Sequence, residues 1–313
     1  MRTSSAGLGL AVLSAATFGT SGTFAAALMA TGWSPGAAVT TRIGVAALLL
    51  TVPALAQIRG RWGLLRRNLG PIAAYGLVAV AGCQLFYFNA VEHLSIGVAL
   101  LLEYSGTLLV VLWVWLRHGQ RPRTLTTLGG ILALTGLVLV LDLTGTQHVD
   151  LVGVLWGLAA AAGLAVYFVL SAHTDETLPP MVMAWAGMVI GAVTLFGVGL
   201  TGAVPLHAST RDADFNGHHT SWVVPIIGLS LVAAVIAYSA GIGAARRLGA
   251  RLASFVGLAE VLFAVLFAWA FLDQRPTGLQ LIGGVVVLAG IALVRADERE
   301  PKPVAEPELA PAL

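Results

Sequence analysis

Apolar residues fill this chain in long, nearly uninterrupted stretches, near 5–30, 34–57, 71–92, 95–116, 124–143, 151–172, 179–202, 222–245, 249–272 and 277–295. Each is of the order needed to cross about 30 Å of hydrocarbon at about 1.5 Å per residue. Lipid offers no water to backbone N–H and C=O groups, so segments this rich in Ala, Leu, Val and Gly are predicted to be helices. No alternating ten-residue pattern points to a barrel. The predicted fold class is an all-α polytopic membrane protein with ten transmembrane helices.

The pattern is duplicated. Residues 71–140 recur at 225–294 without a gap, at a constant offset of 154. Identities include Pro71/Pro225, Ala90/Ala244, Leu94/Leu248, Ala99/Ala253, Trp115/Trp269, Gln120-Arg121-Pro122 against Gln274-Arg275-Pro276, and Gly136/Gly290. Segment 1 belongs to the repeat as well, because Gly9, Ala15, Gly19, Phe24 and Pro35 return as Gly153, Ala159, Gly163, Phe168 and Pro179. That membership, and an apolar run of more than twenty residues, argue against a cleaved signal peptide. Two repeats are therefore expected, 5–143 and 151–295, with five helices each. An odd number per half turns the second half upside down in the bilayer, the plan of many carriers with a site at the midplane.

Charge fixes the expected orientation. With the N-terminus in the cytosol, 14 Arg and Lys residues fall on the inside and two, Arg211 and Arg275, on the outside. Both termini are thus expected in the cytosol. The chain is 58% hydrophobic and 10% charged, against about 25% charged residues in soluble domains. No stretch is left for a soluble catalytic domain. The net charge of +2 resides in cytosolic turns near anionic lipid, so no nucleic-acid partner is expected. One cysteine, Cys83, allows neither an internal disulfide nor a thiolate metal cluster, and it is read as a small packing residue. No metal or cofactor is expected. Residues 298–313, rich in Pro, Glu and Ala, form an expected disordered cytosolic tail, and the loop 203–221 is expected to be mobile.

Two stretches, LLEYSGTLLVVLWVWLRHGQRPRTLTTLGGILALTGLVLVL (101–141) and ASFVGLAEVLFAVLFAWAFLDQRPTGLQLIGGVVVLAGIALV (253–294), resemble the EamA domain of the drug/metabolite transporter superfamily. Shared with that family are a fourth repeat helix with an acidic or aromatic residue, a charged short turn and a Gly-rich fifth helix. Trp156-Gly157 matches a motif common in the opening helix of its repeats. The resemblance covers about residues 9–296. It implies a ten-helix carrier of the bacterial inner membrane, commonly an exporter of amino acids, other metabolites or toxic organic compounds. A central cavity lined mainly by segments 3, 4, 8 and 9, with 1 and 6 contributing, is implied too. The family's frequent proline in the fourth repeat helix is replaced here by Thr107 and Val261, so any flexing must arise elsewhere.

Ionisable side chains inside hydrocarbon cost roughly 2.5–3.5 kcal/mol at mid-span, and three are present: Arg42, Glu103 and Glu260. Glu260 aligns with Gly106 across the repeat and Glu103 with Gly257, so the carboxylates stand about one turn apart on equivalent helices. Arg42 and Glu103 share a similar depth and either neutralise each other as a buried pair or serve cargo separately. Glu260 has no basic residue at its depth in the second half. It is read either as the group that takes up a coupling proton or contacts a cationic substrate, or as a protonated packing residue. Gln84, Tyr87, Asn89, Tyr104, Tyr167 and Tyr238 are candidate cavity residues, since aromatic faces with a few polar tips suit amphipathic solutes. Trp33, Trp113, Trp115, Trp222 and Trp269 lie near span ends and are read as interface anchors. The small, hydroxyl-rich stretch 17–23 is read as a packing surface or as a bent segment exposing backbone to solute, and the glycines 129, 130, 136, 283, 284 and 290 as close-packing positions, within the chain or across a dimer.

Enzyme chemistry finds no support. All seven histidines fall in turns or at span ends, and no Gly-rich loop carries the Lys-Ser/Thr of a nucleotide-binding site. Polar rings or filter loops of a channel are absent as well. The expected partners are a small-molecule substrate, protons as a coupling ion, and the lipid bilayer, with the oligomeric state open. A lipid-linked sugar flippase and a facilitated-diffusion carrier remain as alternative readings.

Overall fold

The computed structural model describes residues 5–143, 150–175, 177–215 and 217–299. Ten apolar helices carry the fold: α1 (Ser5–Met29), α2 (Pro35–Ile58), α3 (Leu69–His93), α4 (Ile96–His118), α5 (Thr124–Val140), α6 (Leu151–His173), α7 (Pro180–Leu200), α8 (Val223–Leu248), α9 (Ala250–Leu272) and α10 (Gly278–Arg299). Among the described residues, nine are long and apolar enough to cross a membrane. The exception is α5, whose 17 residues reach only about 25 Å. The expected ten spans are therefore nine by length, with one shorter apolar helix. The outer surface is apolar: Leu48 and Val52 are 74% and 76% exposed, which is the surface of a protein solvated by lipid.

Local chemistry sets the boundaries. Ser34 and Ser95 accept hydrogen bonds from Ala37 N and Val98 N at the starts of α2 and α4, and Asp150 accepts from Val152 N before α6, each satisfying an orphan helix donor. At the other end of the repeat-related helices, α4 stops at Gly119 (φ 65°) and α9 at Asp273 (φ 53°). These two residues are 154 positions apart, and both take the left-handed conformation that ends helices, which Gly and Asp tolerate better than other residues.

Packing follows the duplication. Helix α5 lies along α10, and α2 lies against α7 and α8 while α7 lies against α2 and α3. Helix α1 packs on α8 and α9, and α6 packs on α3 and α4. Exchanging the first five helices for the last five maps these contacts onto one another, whereas α6 packs in addition on α8 and α9, which α1 does not match on α3 and α4. The α5–α10 contact is as close as backbones allow. A Cβ on Gly129 would stand 2.7 Å from the Gly290 carbonyl oxygen and one on Gly290 2.6 Å from that of Gly129, with the same reciprocity between Gly136 and Gly283. These glycines thus pack within one chain.

Irregular turns recur at matching places. Residues Tyr75–Gly82 of α3 and Gly228–Ile236 of α8 are wound as π-helix, a wider turn often found at functional sites. Helix α4 tightens at Ser105 and α9 at Leu258, where Ser105 N reaches Leu102 O and Leu258 N reaches Phe255 O. Local irregularity therefore persists without the family's proline, and the Thr107 hydroxyl donates back to the Tyr104 carbonyl at 3.0 Å.

Three expectations change at the ends of the bundle. The loop 203–221 is fastened: the Trp33 indole N–H donates to Ser209 O at 2.6 Å, Ser34 Oγ donates to Pro205 O at 2.6 Å, and Ser34 N donates to His207 O at 2.9 Å. Trp33 is accordingly buried in the core beneath that loop, because its N–H has a protein partner and needs no interfacial water. A short antiparallel hairpin, Ala213–Phe215 with His218–Thr220, completes the cover. At the opposite end, α10 continues through Arg299, so Glu298 belongs to a helix; the rest of the expected tail, from 300, lies outside the described residues. Glu298 accepts from Arg251 Nε and Nη2 at 2.7 and 2.6 Å, and buried Asp297 accepts from the Thr126 hydroxyl. These bonds tie α9 and α5 to α10 beside the chain termini.

Candidate functional site

A cavity of about 760 Å³ lies between the halves, walled by α1, α2, α3, α4, α6, α8 and α9. Its wall runs from Ala11, Ala253 and Ser254 to Met29, Ile96, Leu272, Gln274 and Gln280, so it reaches the end of the bundle away from the termini. Towards the termini it is shut: Gly7 abuts Leu248 and Arg247, and Leu252 and Phe255 fill the core.

Of the nine residues named from sequence, eight line this space: Arg42, Gln84, Tyr87, Glu103, Tyr104, Tyr167, Tyr238 and Glu260. Asn89 does not. Its amide donates to the Leu85 carbonyl of its own helix at 2.7 Å. Five residues beyond Gln84, it is rotated about 140° from it at about 100° per residue, and so it faces away.

The ionisable groups meet the cavity separately. Arg42 is buried, and its Nη2 donates to the Ala233 carbonyl, in the π-wound part of α8, at 2.7 Å. Its Nε has no partner. Glu103 accepts from the Cys83 thiol at 3.2 Å. Glu260 faces the Tyr104 hydroxyl and interacts electrostatically with Glu103 and Arg42. No ion pair joins Arg42 to either carboxylate among the described residues, so the pairing of Arg42 with Glu103 is not formed. Arg42 instead bonds to the α8 backbone and Glu103 to Cys83 of α3.

An aromatic wall stands beside the charges. The Tyr238 ring meets Phe18 edge-on at 4.9 Å and Tyr167 at 5.7 Å. Tyr167 fits because residue 241 is glycine, since a Cβ there would lie 2.0 Å from its hydroxyl oxygen. Sequence reasoning missed Phe18, Ser14 and Phe168 as lining residues and took Cys83 for packing alone. For Cys83, its place beside Gln84 near mid-span was the one available signal. A smaller cavity of about 530 Å³ lies under the hairpin, lined by Thr20, Phe24, Phe215, His218, Phe267 and Phe271 among others. No group of three or more His, Cys, Asp or Glu side chains suited to a metal occurs among the described residues.

A multi-pass helical bundle closed around one charged and aromatic chamber is the architecture of a membrane transporter. The chain belongs to the EamA-like transporter family, whose profile matches residues 5–142 and 151–296. Similar proteins include the threonine/homoserine exporter RhtA of Salmonella typhimurium strain LT2, 26% identical over 236 residues that cover 74% of this chain and 73% of that protein. RhtA of Escherichia coli K12 is 25% identical over 237 residues, with the same shares covered. An uncharacterized transporter of Archaeoglobus fulgidus is 27% identical over 228 residues, 72% of this chain and 76% of its own. One crystal structure superimposes with a TM-score of 0.73 at 21% identity, covering 96% of this chain and 100% of that one; it supports the fold.

Proposed function

We propose that this protein is a secondary exporter of small metabolites, such as amino acids, or of organic drugs, working by alternating access around the shared cavity. In this reading the two five-helix repeats, 5–143 and 151–295, enter the membrane in opposite orientations, all ten helices cross, and both termini lie in the cytosol of the bacterial cell. The observation that carries it is the convergence of eight sequence-predicted residues on one chamber that touches only one end of the bundle. With cytosolic termini, that end faces outward, and the conformation is the one that has released its cargo. The names of the RhtA relatives, threonine/homoserine exporters, favour export of a polar metabolite. Arginine placement favours the orientation,. Glu260 and Glu103 are the coupling candidates because they are the two carboxylates in the chamber.

Purified protein in liposomes, assayed for solute flux with and without a pH gradient, tests this. Proton coupling predicts flux that follows the gradient in the native protein and loses that dependence in Glu260→Gln. Gradient-independent flux in both would identify facilitated diffusion, and transfer of a lipid-linked sugar without solute flux would replace the carrier reading with a flippase.

A further inference from the structure

We infer that Arg42 and Glu260 form a two-point recognition site for a zwitterion, the carboxylate of the solute on the Arg42 guanidinium and its ammonium on the Glu260 carboxylate. The inference rests on the carrier reading above and names the chemical class of its cargo.

Both groups line the same chamber, and no ion pair joins them among the described residues. Arg42 is 7% exposed and, among the described residues, holds a single hydrogen bond, from Nη2 to the Ala233 carbonyl, with no partner on Nε. A carboxylate accepting from that side pairs with two parallel N–H groups, the geometry for which guanidinium is suited and ammonium is not. The arrangement also selects against other classes. A purely cationic solute meets the uncompensated guanidinium, and a purely anionic one meets two carboxylates, since Glu103 stands beside Glu260 with the Cys83 thiol on it. A molecule with both charges satisfies each. Tyr238, Tyr167 and Phe18 then offer an apolar wall to its side chain. The first half supplies the cation and the second half the carboxylate, so the bound solute bridges the two parts that must move relative to each other.

The test uses the full-length protein and the twenty common L-amino acids as probes, first by thermal shift in detergent and then by radiolabelled exchange in liposomes. For the probe that binds, its methyl ester removes the anionic charge and its N-acetyl derivative removes the cationic one. Each is expected to bind roughly 10–100-fold more weakly than the parent, the range of a lost charged hydrogen bond. Arg42→Gln should weaken the parent by a similar factor while leaving the ester unchanged, with Arg42→Lys recovering part of the loss. Glu260→Gln should weaken the parent and leave the N-acetyl form unchanged. Equal binding of parent, ester and N-acetyl form, or an Arg42→Gln effect of the same size on all three, overturns the inference. Transport of an amine or a drug with no response to any amino acid overturns it while the carrier reading stands, and absence of any solute flux overturns both.

Discussion

The fourth helices of the two halves carry opposite chemistry at matching positions. In α4, Glu103 faces the chamber and Gly106, one turn on, is pressed against α6, where a Cβ would lie 2.4 Å from the Ala161 carbonyl oxygen. In α9 the order is reversed. Gly257, the counterpart of Glu103, would place a Cβ 2.9 Å from the Phe168 ring, and Glu260, the counterpart of Gly106, faces the chamber. One helix, α6, thus crowds the position in each half where the other half carries its carboxylate: its backbone bars a side chain at 106, and the tip of the Phe168 ring would have to move to admit one at 257. Duplication supplied two equivalent helices, and packing against α6 decided where charge is tolerated on each. The chamber gains two carboxylates at staggered depth instead of a symmetric facing pair.

The sharpest way to break this comparison is to restore the symmetry. Gly106→Glu forces a long side chain into the Ala161 backbone, and we expect no monodisperse protein after detergent extraction. Folded, chromatographically normal Gly106→Glu would show that α6 does not set the asymmetry. Next in size is the effect of removing one carboxylate at a time. Glu260 meets Tyr104 and the charge of Arg42, whereas Glu103 is already engaged by Cys83. Gradient-driven flux in liposomes is therefore expected to fall at least about tenfold in Glu260→Gln, a scale set by loss of a charged hydrogen bond, and by less in Glu103→Gln. Equal losses would mean that the two halves contribute equally. A milder probe is Gly106→Ala, expected to destabilise by about 1–3 kcal/mol through overpacking, whereas Gly22→Ala, with open space at its Cβ, should leave the unfolding midpoint in detergent unchanged. The smallest effect concerns the closed end. The Arg251–Glu298 pair is partly exposed, its side chains 13% and 26% accessible, so Arg251→Gln should cost about 1 kcal/mol, roughly a fivefold shift in population. With Ala264→Cys, on the chamber wall, as the reporter in a Cys83→Ser background, labelling from outside should slow, by at most that factor.

Much of this was legible in the primary structure, for reasons that can be named. A constant offset of 154 without gaps fixed which residues correspond, and the structure honours it down to the left-handed ends at Gly119 and Asp273. Cost of burial singled out Arg42, Glu103 and Glu260, since no charge persists in hydrocarbon without a cavity or a partner. Direction was harder. Asn89 was read together with Gln84 and Tyr87 although its helical phase turns it away, an error that a count of 100° per residue would have caught. The Arg42–Glu103 pair was weighed on depth alone, and depth says nothing about azimuth. Trp33 was placed at the interface because it lies at a span end, but its N–H is claimed by a loop 176 residues away in the chain, a contact that no local pattern encodes. The shortness of α5 escapes a hydropathy reading because Leu141 and Leu143 flank Asp142 just past Val140, where the helix ends.

The central claim is that the halves sit inverted around one chamber, and the turns after α4 and α9 report on it directly. Gln120→Cys and Gln274→Cys, each in a Cys83→Ser background, should be treated in intact cells with a membrane-impermeant maleimide. The inverted arrangement predicts that position 274 labels in intact cells and that position 120 labels only once the membrane is opened. Labelling of both, or of neither, in intact cells would place the two turns on one side and contradict the account.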